Sequence, residues 1–142
     1  ESAATLAAMA EGSLGRARLL LAKDLLTLRR EIIDQLLHLE PDTPTAIQTL
    51  TELAETAAKL KGDLGELLEL LTTWLHDLLL FGHGASGSII NHDLSSTFPT
   101  ACRRWSSGQL SERLLMMDTA RKQLARNCNP TAVCEVLFFG LL

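Results

Sequence analysis

Apolar residues recur at three- and four-residue intervals along most of the chain, and this is the period of an α-helix. In the first third of the sequence the spacing is set by six aliphatic residues, Leu14, Leu21, Leu25, Leu28, Ile32 and Leu39. No stretch of the sequence alternates polar and apolar residues long enough to predict a strand, and β-branched residues are sparse. The pattern therefore predicts an all-α protein, a single helical bundle of about five or six helices preceded by a short N-terminal helix.

The ends of these helices are marked by residues typical of helix caps. Thr43 and Asn129 each precede a proline, which is well tolerated in the first turn because its missing N–H would be unpaired there. Asp63, with Glu66 three positions later, resembles a capping box. A break or kink is expected near residues 23–24. We predict helices over about 13–39, 44–61, 63–81, 98–105, 109–126 and from 130 onward.

Composition and charge restrict the class of protein. The chain has 142 residues, of which 46% are hydrophobic and 21% charged, as expected of one globular domain. It begins Glu-Ser-Ala, so we interpret it as a fragment of a longer protein. No apolar stretch is long enough to predict a membrane helix. Three cysteines without C-x-x-C spacing indicate reduced thiols and a cytoplasmic protein.

The net charge of −4 conceals an asymmetry between the two parts of the chain. Residues 1–99 carry seven Lys or Arg against fourteen Asp or Glu, whereas residues 100–142 carry six against three. The basic residues of the second part lie among apolar residues without interleaved aromatic ones, so direct nucleic-acid binding is not favoured.

The segments that could carry chemistry do not complete any known site. No Gly-Lys-Ser or Gly-Lys-Thr is present, as a phosphate-binding P-loop would require. The stretch "GASGS" (84–88) departs from a G-x-S-x-G nucleophile elbow at its last position, and the segment around it, residues 82–93, is predicted to be a flexible loop. The four histidines follow no metal-binding spacing. We therefore predict no catalytic residue, no cofactor and no metal.

Two further features favour structural roles over chemistry. Trp74, Asp77 and Leu78 share one side of a helix, which predicts a core tryptophan beside an aspartate that accepts a hydrogen bond from a buried donor. Cys128 and Cys134 lie near a helix start, where a reactive thiolate is conceivable, but small buried hydrophobic side chains are the favoured interpretation.

The order of several segments resembles that of AAA+ clamp-loader subunits over essentially the whole chain. "LAAMAEGSLGRARLL" looks like the end of the lid domain, where a Gly-Ser turn opens the sensor-two helix. "WLHDLLL", "IINHD" and "LLMMDTARKQLARNCNPTAVCEVLFFGLL" are similar to the collar domain that follows. An Ala-Arg-x-x-Leu helix, an Asn-x-Asn-Pro turn and an apolar terminal helix, in this order, resemble delta-prime subunits of bacterial DNA polymerase III.

The turn "EGSLGRAR" decides which relatives the chain resembles most. Gly12 and Ser13 match the sensor-two turn, but Gly15 stands where subunits that hydrolyse ATP have a phosphate-contacting arginine. Arg16 follows one position later, and one residue rotates a helical side chain by about 100°. The resemblance therefore implies a degenerate nucleotide site and a non-hydrolysing, delta-prime-like subunit.

The resemblance also implies a domain division and a set of partners. Residues 1–22 would end the AAA+ lid, and residues 23–142 would form a collar domain for oligomerisation. The expected partners are the gamma/tau and delta subunits of the clamp loader, with DNA reached only through the complex and with no membrane contact. The fragment itself would not be an enzyme.

The terminal helix is the candidate subunit interface. From Ala132 onward only Glu135 is charged, so one bundle does not cover all of its apolar surface. We expect one of the two phenylalanines to face a partner, although a helix threaded through the bundle centre remains an alternative. The candidate interface residues are Val136, Phe138, Phe139 and Leu142.

Two other classes of function are weighed against the clamp-loader interpretation. A helical adaptor that binds peptides in a groove would be supported by an internal repeat, which the sequence lacks. A small α-helical enzyme would use His92, Asp93 and Cys102, and a bound metal or a titrating thiol would support it.

Overall fold

The computed structural model describes residues 19–142, and these residues form a bundle of α-helices. No strand occurs in this part of the chain, which confirms the all-α prediction. Within residues 19–142, three short 3-10 helices lie at Lys61–Asp63, Ser86–Ser88 and His92–Thr97. The α-helices are α1 (Leu19–His38), α2 (Pro44–Ala58), α3 (Leu64–Gly82), α4 (Phe98–Arg104), α5 (Ser107–Ala125) and α6 (Pro130–Leu141).

Side-chain caps start three of these helices. The Oγ1 atom of Thr43 accepts a hydrogen bond from the backbone N–H of Ala46 at 3.1 Å, at the start of α2. Asn129 caps α6 in the same way, as predicted. Ser106 and Gln109 form a reciprocal capping box at the start of α5. Each cap satisfies a backbone N–H that has no partner within its own helix.

The predicted capping box at Asp63 is wrong. A 3-10 turn over Lys61–Asp63 runs directly into α3, so Asp63 has helical backbone angles, with φ −88° and ψ −5°. An N-cap side chain reaches the free N–H groups from extended backbone, and the Asp63 side chain accordingly makes no capping hydrogen bond.

The predicted break near Lys23 and Asp24 is also absent, because α1 continues through both residues. Both side chains are exposed, and solvated charged residues cost a helix little. Helix α2 ends at Ala58, a few residues earlier than expected, since the backbone turns at Lys61 with a φ of 53°.

Helix α3 is the centre of the bundle and contacts α1, α2, α4 and α5. Its Trp74 is 1% exposed, which confirms the predicted core tryptophan. The Trp74 ring meets the Trp105 ring edge to face at 6.1 Å, and its Nε1 donates a hydrogen bond to Thr97 Oγ1 at 3.1 Å. Helix α6 packs on α2 and α5, so it closes one side of the bundle.

Candidate subunit interface

Helix α6 has a buried face and an exposed face, although its sequence is apolar on both. The buried residues point into the core between α2 and α5 and are Val133, Cys134, Leu137, Phe138 and Leu141. Phe138 has no exposed surface, so its side chain belongs to the core of this chain. This removes Phe138 from the surface available to a partner and corrects the expectation that either phenylalanine could serve there.

The exposed face of α6 carries Ala132, Val136 and Phe139, which we call the α6 strip. The spacing of four and three residues places these side chains on one side of the helix. Val136 is 72% exposed and Phe139 39% exposed, and the half-buried Glu135, four residues before Phe139, borders the strip. Leu142, the fourth predicted interface residue, is half-buried at the end of the helix. Whether these residues contact a neighbouring subunit stays a prediction.

Contacts with α5 hold the α6 strip on a rigid support. A Cβ atom added to Gly140 would lie 3.0 Å from the Sδ atom of Met116, so the two helices approach closely at this glycine. The Nε atom of Arg113 donates a hydrogen bond to the carbonyl of Leu141 at 2.8 Å. The same guanidinium lies 4.9 Å from the centre of the Trp105 ring, a cation–π distance. Burial lowers the pKa of Arg113 from its usual value.

Apart from the α6 strip, a group of polar residues lies inside the bundle, around Asp77 on α3. Its two carboxylate oxygens accept hydrogen bonds from the backbone N–H groups of Ile90 and Asn91, at 3.1 and 2.8 Å. The side-chain amide of Asn91 donates to the same carboxylate at 2.6 Å. Asp77 therefore accepts hydrogen bonds from buried donors, as predicted. These donors belong to residues 82–93, which we call the glycine-rich segment.

Arg29 of α1 completes this buried polar group. Its NH1 atom donates to the amide oxygen of Asn91 at 2.6 Å, and its NH2 atom pairs with Asp93. Arg29 is 1% exposed, and burial lowers its pKa while the charge of Asp93 opposes this effect. Its Nε atom has no hydrogen-bond partner among the described residues. The expectation of a flexible loop is wrong for residues 89–93, which are tied to α1 and α3.

Neither Arg29 nor Asn91 is among the residues to which the sequence pattern gives a role. The available signal was the segment "IINHD", in which an asparagine between apolar residues and an aspartate follows the helix that contains Asp77. The group draws on three distant parts of the sequence, namely Arg29, Asp77 and the neighbouring residues Asn91 and Asp93.

The residues considered for enzymatic chemistry have structural roles or point to solvent. Asp93 pairs with Arg29, and His92 is exposed. Cys102 donates to the Leu78 carbonyl at 3.5 Å, and burial raises the pKa of its thiol. Cys134 is fully buried, as expected of a small hydrophobic side chain, and burial raises its pKa to about 11. Cys128, in contrast, is exposed.

The part of the chain that the structure describes contains no group of three or more His, Cys, Asp or Glu residues that could hold a metal ion.

The small space between Trp74, Trp105 and Arg113 has a volume of about 10 Å³. That is the size of one water molecule, too small for an organic substrate. The residues that resemble a degenerate sensor-two turn lie outside the described part of the chain; they are Gly12, Ser13, Gly15 and Arg16.

Comparison with known protein families explains this combination of a helical bundle and an apolar terminal helix. The sequence model for the C-terminal domain of the DNA polymerase III delta subunit matches residues 23–140, which is most of the chain. The chain belongs to this family. No curated protein and no solved structure gives a significant match.

Membership in the DNA polymerase III delta C-terminal family makes this chain a domain of a clamp-loader subunit, and so of the DNA replication machinery. The family match does not distinguish delta from delta-prime subunits. Over residues 19–142, none of the helices is long and apolar enough to cross a membrane.

Proposed function

We propose that this chain is the collar domain of a delta-prime subunit, and that it joins the neighbouring clamp-loader subunits through the α6 strip. In this function the domain performs no chemistry. It holds its subunit in the ring while other modules of the complex open the sliding clamp and load it onto primed DNA. The partners would be the gamma/tau and delta subunits of a cytoplasmic complex, and DNA would be contacted only through that complex.

The observation that carries the proposal is the α6 strip itself. Subunit interfaces have a charge-depleted core in which a few residues, often aromatic, supply most of the binding energy. Phe139 would be such an aromatic anchor and Val136 would add apolar contact area, since both remain exposed after the bundle has formed. They lie on a helix held at its C-terminal end by Arg113, so little conformational entropy would be lost when a partner binds.

The assignment to delta-prime rests on the resemblance of "EGSLGRAR" to a sensor-two turn that lacks its arginine. Gly15 stands at the position of the phosphate-contacting residue. In the same proposal residues 1–22 end a lid domain and residues 23–142 form the collar. The beginning of the family match, at residue 23, is compatible with this division.

The experiment is assembly of the complete subunit with its clamp-loader partners, using Val136→Asp and Phe139→Asp variants. A buried carboxylate without a partner is costly, so we expect at least one variant to assemble with roughly tenfold lower affinity or worse. Analytical size exclusion and a clamp-loading assay would measure the loss.

Leu115→Asp is the matched control, because Leu115 is 69% exposed on α5, on the side opposite the core residues of that helix. It should assemble normally, and all three variants should keep the helical circular dichroism of the parent. Wild-type assembly by both α6 variants would contradict the proposed interface.

A further inference from the structure

A single charged residue, Glu135, lies in helix α6, at the edge of the α6 strip. It directly precedes Val136, and Phe139 follows it one helical turn later, about 6 Å along the axis. Side chains four residues apart are neighbours on a helix surface. A half-buried carboxylate therefore stands beside the most exposed aromatic residue of the helix.

Neither of the two helices that pack on α6 supplies a cation for Glu135. Helix α2 contains no Lys, Arg or His. Helix α5 has three basic residues, and each has a partner elsewhere, namely backbone carbonyls for Arg113 and other carboxylates for Arg121 and Lys122. Within residues 19–142, the Glu135 carboxylate takes part in no ion pair and no side-chain hydrogen bond.

A partner that covers the α6 strip would also remove water from the Glu135 carboxylate. This residue adjoins Val136 and lies one turn from Phe139, so a surface that buries both cannot leave it fully hydrated. Removing a carboxylate from water is costly unless a cation or hydrogen-bond donors replace the water. A partner that fits this strip must therefore bring a cation to its edge.

We propose that the neighbouring subunit places an arginine against both the carboxylate of Glu135 and the ring of Phe139. This rests on the function proposed above and specifies the chemistry of the partner at the α6 strip. A guanidinium donates paired hydrogen bonds to a carboxylate and also packs on an aromatic face. A lysine ammonium is a more strongly hydrated point charge and fits this pair of groups less well.

Such a contact gives the α6 strip selectivity among neighbouring surfaces. Hydrophobic contact is non-directional, so Val136 and Phe139 alone would accept many apolar surfaces. The carboxylate at their edge disfavours a partner that is acidic or uncharged at this point, and it fixes the register of the partner that is accepted. The surface that fits is apolar opposite Val136 and basic opposite Glu135.

The first test is the affinity of the complete subunit for the gamma/tau and delta subunits, measured over a range of NaCl concentrations. Glu135→Gln keeps the size of the side chain and removes its charge. We expect this variant to bind about tenfold more weakly at low salt. Wild-type affinity should fall more steeply with salt than that of the variant, because ions screen the opposite charges. Glu31→Gln is the matched control, since Glu31 is exposed on α1, and it should behave as wild type.

The second test asks whether one arginine contacts both groups. Phe139→Leu keeps an apolar side chain and removes the aromatic ring. If a single guanidinium contacts Glu135 and Phe139, the loss of affinity in the double variant should be smaller than the product of the two single losses. Losses that simply multiply would overturn the shared arginine.

The outcomes separate this contact from the interface as a whole. Glu135→Gln should leave the unfolding of the 142-residue chain in urea unchanged, since its carboxylate has no partner within residues 19–142. If Phe139→Asp loses assembly while Glu135→Gln binds as wild type at every salt concentration, the interface stands and the arginine contact is wrong. Self-association of the subunit alone, abolished by Glu135→Gln, would assign the strip to a second copy of this chain and also overturn the proposal.

Discussion

At the scale of single residues, burial changes the pKa of the Cys134 thiol. The Cys134 thiol has no exposed surface, and its pKa rises from about 9 to about 11 because a thiolate would lose its hydration there. The folded chain therefore keeps a proton that the unfolded chain releases between these two pH values. The contribution of Cys134 to stability is fully present below pH 9 and is lost as the pH rises through 11.

We accordingly expect the free energy of unfolding in urea to fall between pH 9 and pH 11, and to fall less steeply in Cys134→Ala. Urea melts at several alkaline pH values would measure the two slopes. All other titratable groups are common to both proteins, so the difference between the two slopes isolates the Cys134 thiol. Equal slopes would show that Cys134 is not the buried group that the structure describes.

At the scale of elements, the ordering of residues 89–93 depends on Asp77. Its carboxylate accepts three hydrogen bonds from Ile90 and Asn91, and Arg29 approaches Asn91 from α1. A carboxylate in this position replaces the backbone partners that a helix or sheet would have provided. The glycine-rich segment is thereby fixed at its end, where it runs into the 3-10 helix His92–Thr97.

Asp77→Ala should lower the free energy of unfolding by about 2–4 kcal/mol, because it leaves buried N–H groups without acceptors. It should also speed amide exchange at Ile90 and Asn91. Asp118→Ala is the control, since the pair of Asp118 with Lys122 is exposed and worth less than about 1 kcal/mol. A loss in Asp77→Ala no larger than in this control would rule out the role assigned to Asp77.

At the scale of the whole molecule, helices enclose a core and leave no described cavity of substrate size around the central tryptophans. We expect the chain to bind no ATP, because it contains no Gly-Lys-Ser or Gly-Lys-Thr sequence and, in the proposed assignment, has Gly15 at the sensor-two position. Calorimetric titration with ATP and magnesium should give no heat of binding. Micromolar affinity would contradict the assignment to a non-hydrolysing subunit.

The sequence by itself determined the fold class and most helix boundaries. Helical periodicity is a local property, and caps such as Thr43 and Asn129 act within one turn of their own position. The buried position of Trp74 followed from the same periodicity, because its helix has one dominant apolar face. The break expected near Lys23 and Asp24 does not occur, because charged residues mark the solvent-facing side of a helix as readily as they mark its end.

Only the tertiary structure decided which side of α6 faces outward. Apolar residues occur on all sides of that helix, so its sequence does not indicate which side is buried. The positions of α2 and α5 bury Phe138 and leave Phe139 exposed. The same holds for the polar group of Arg29, Asp77 and Asn91, whose members are distant in the chain. Hydrogen bonds of this kind form between elements that packing brings together, and no local pattern encodes them.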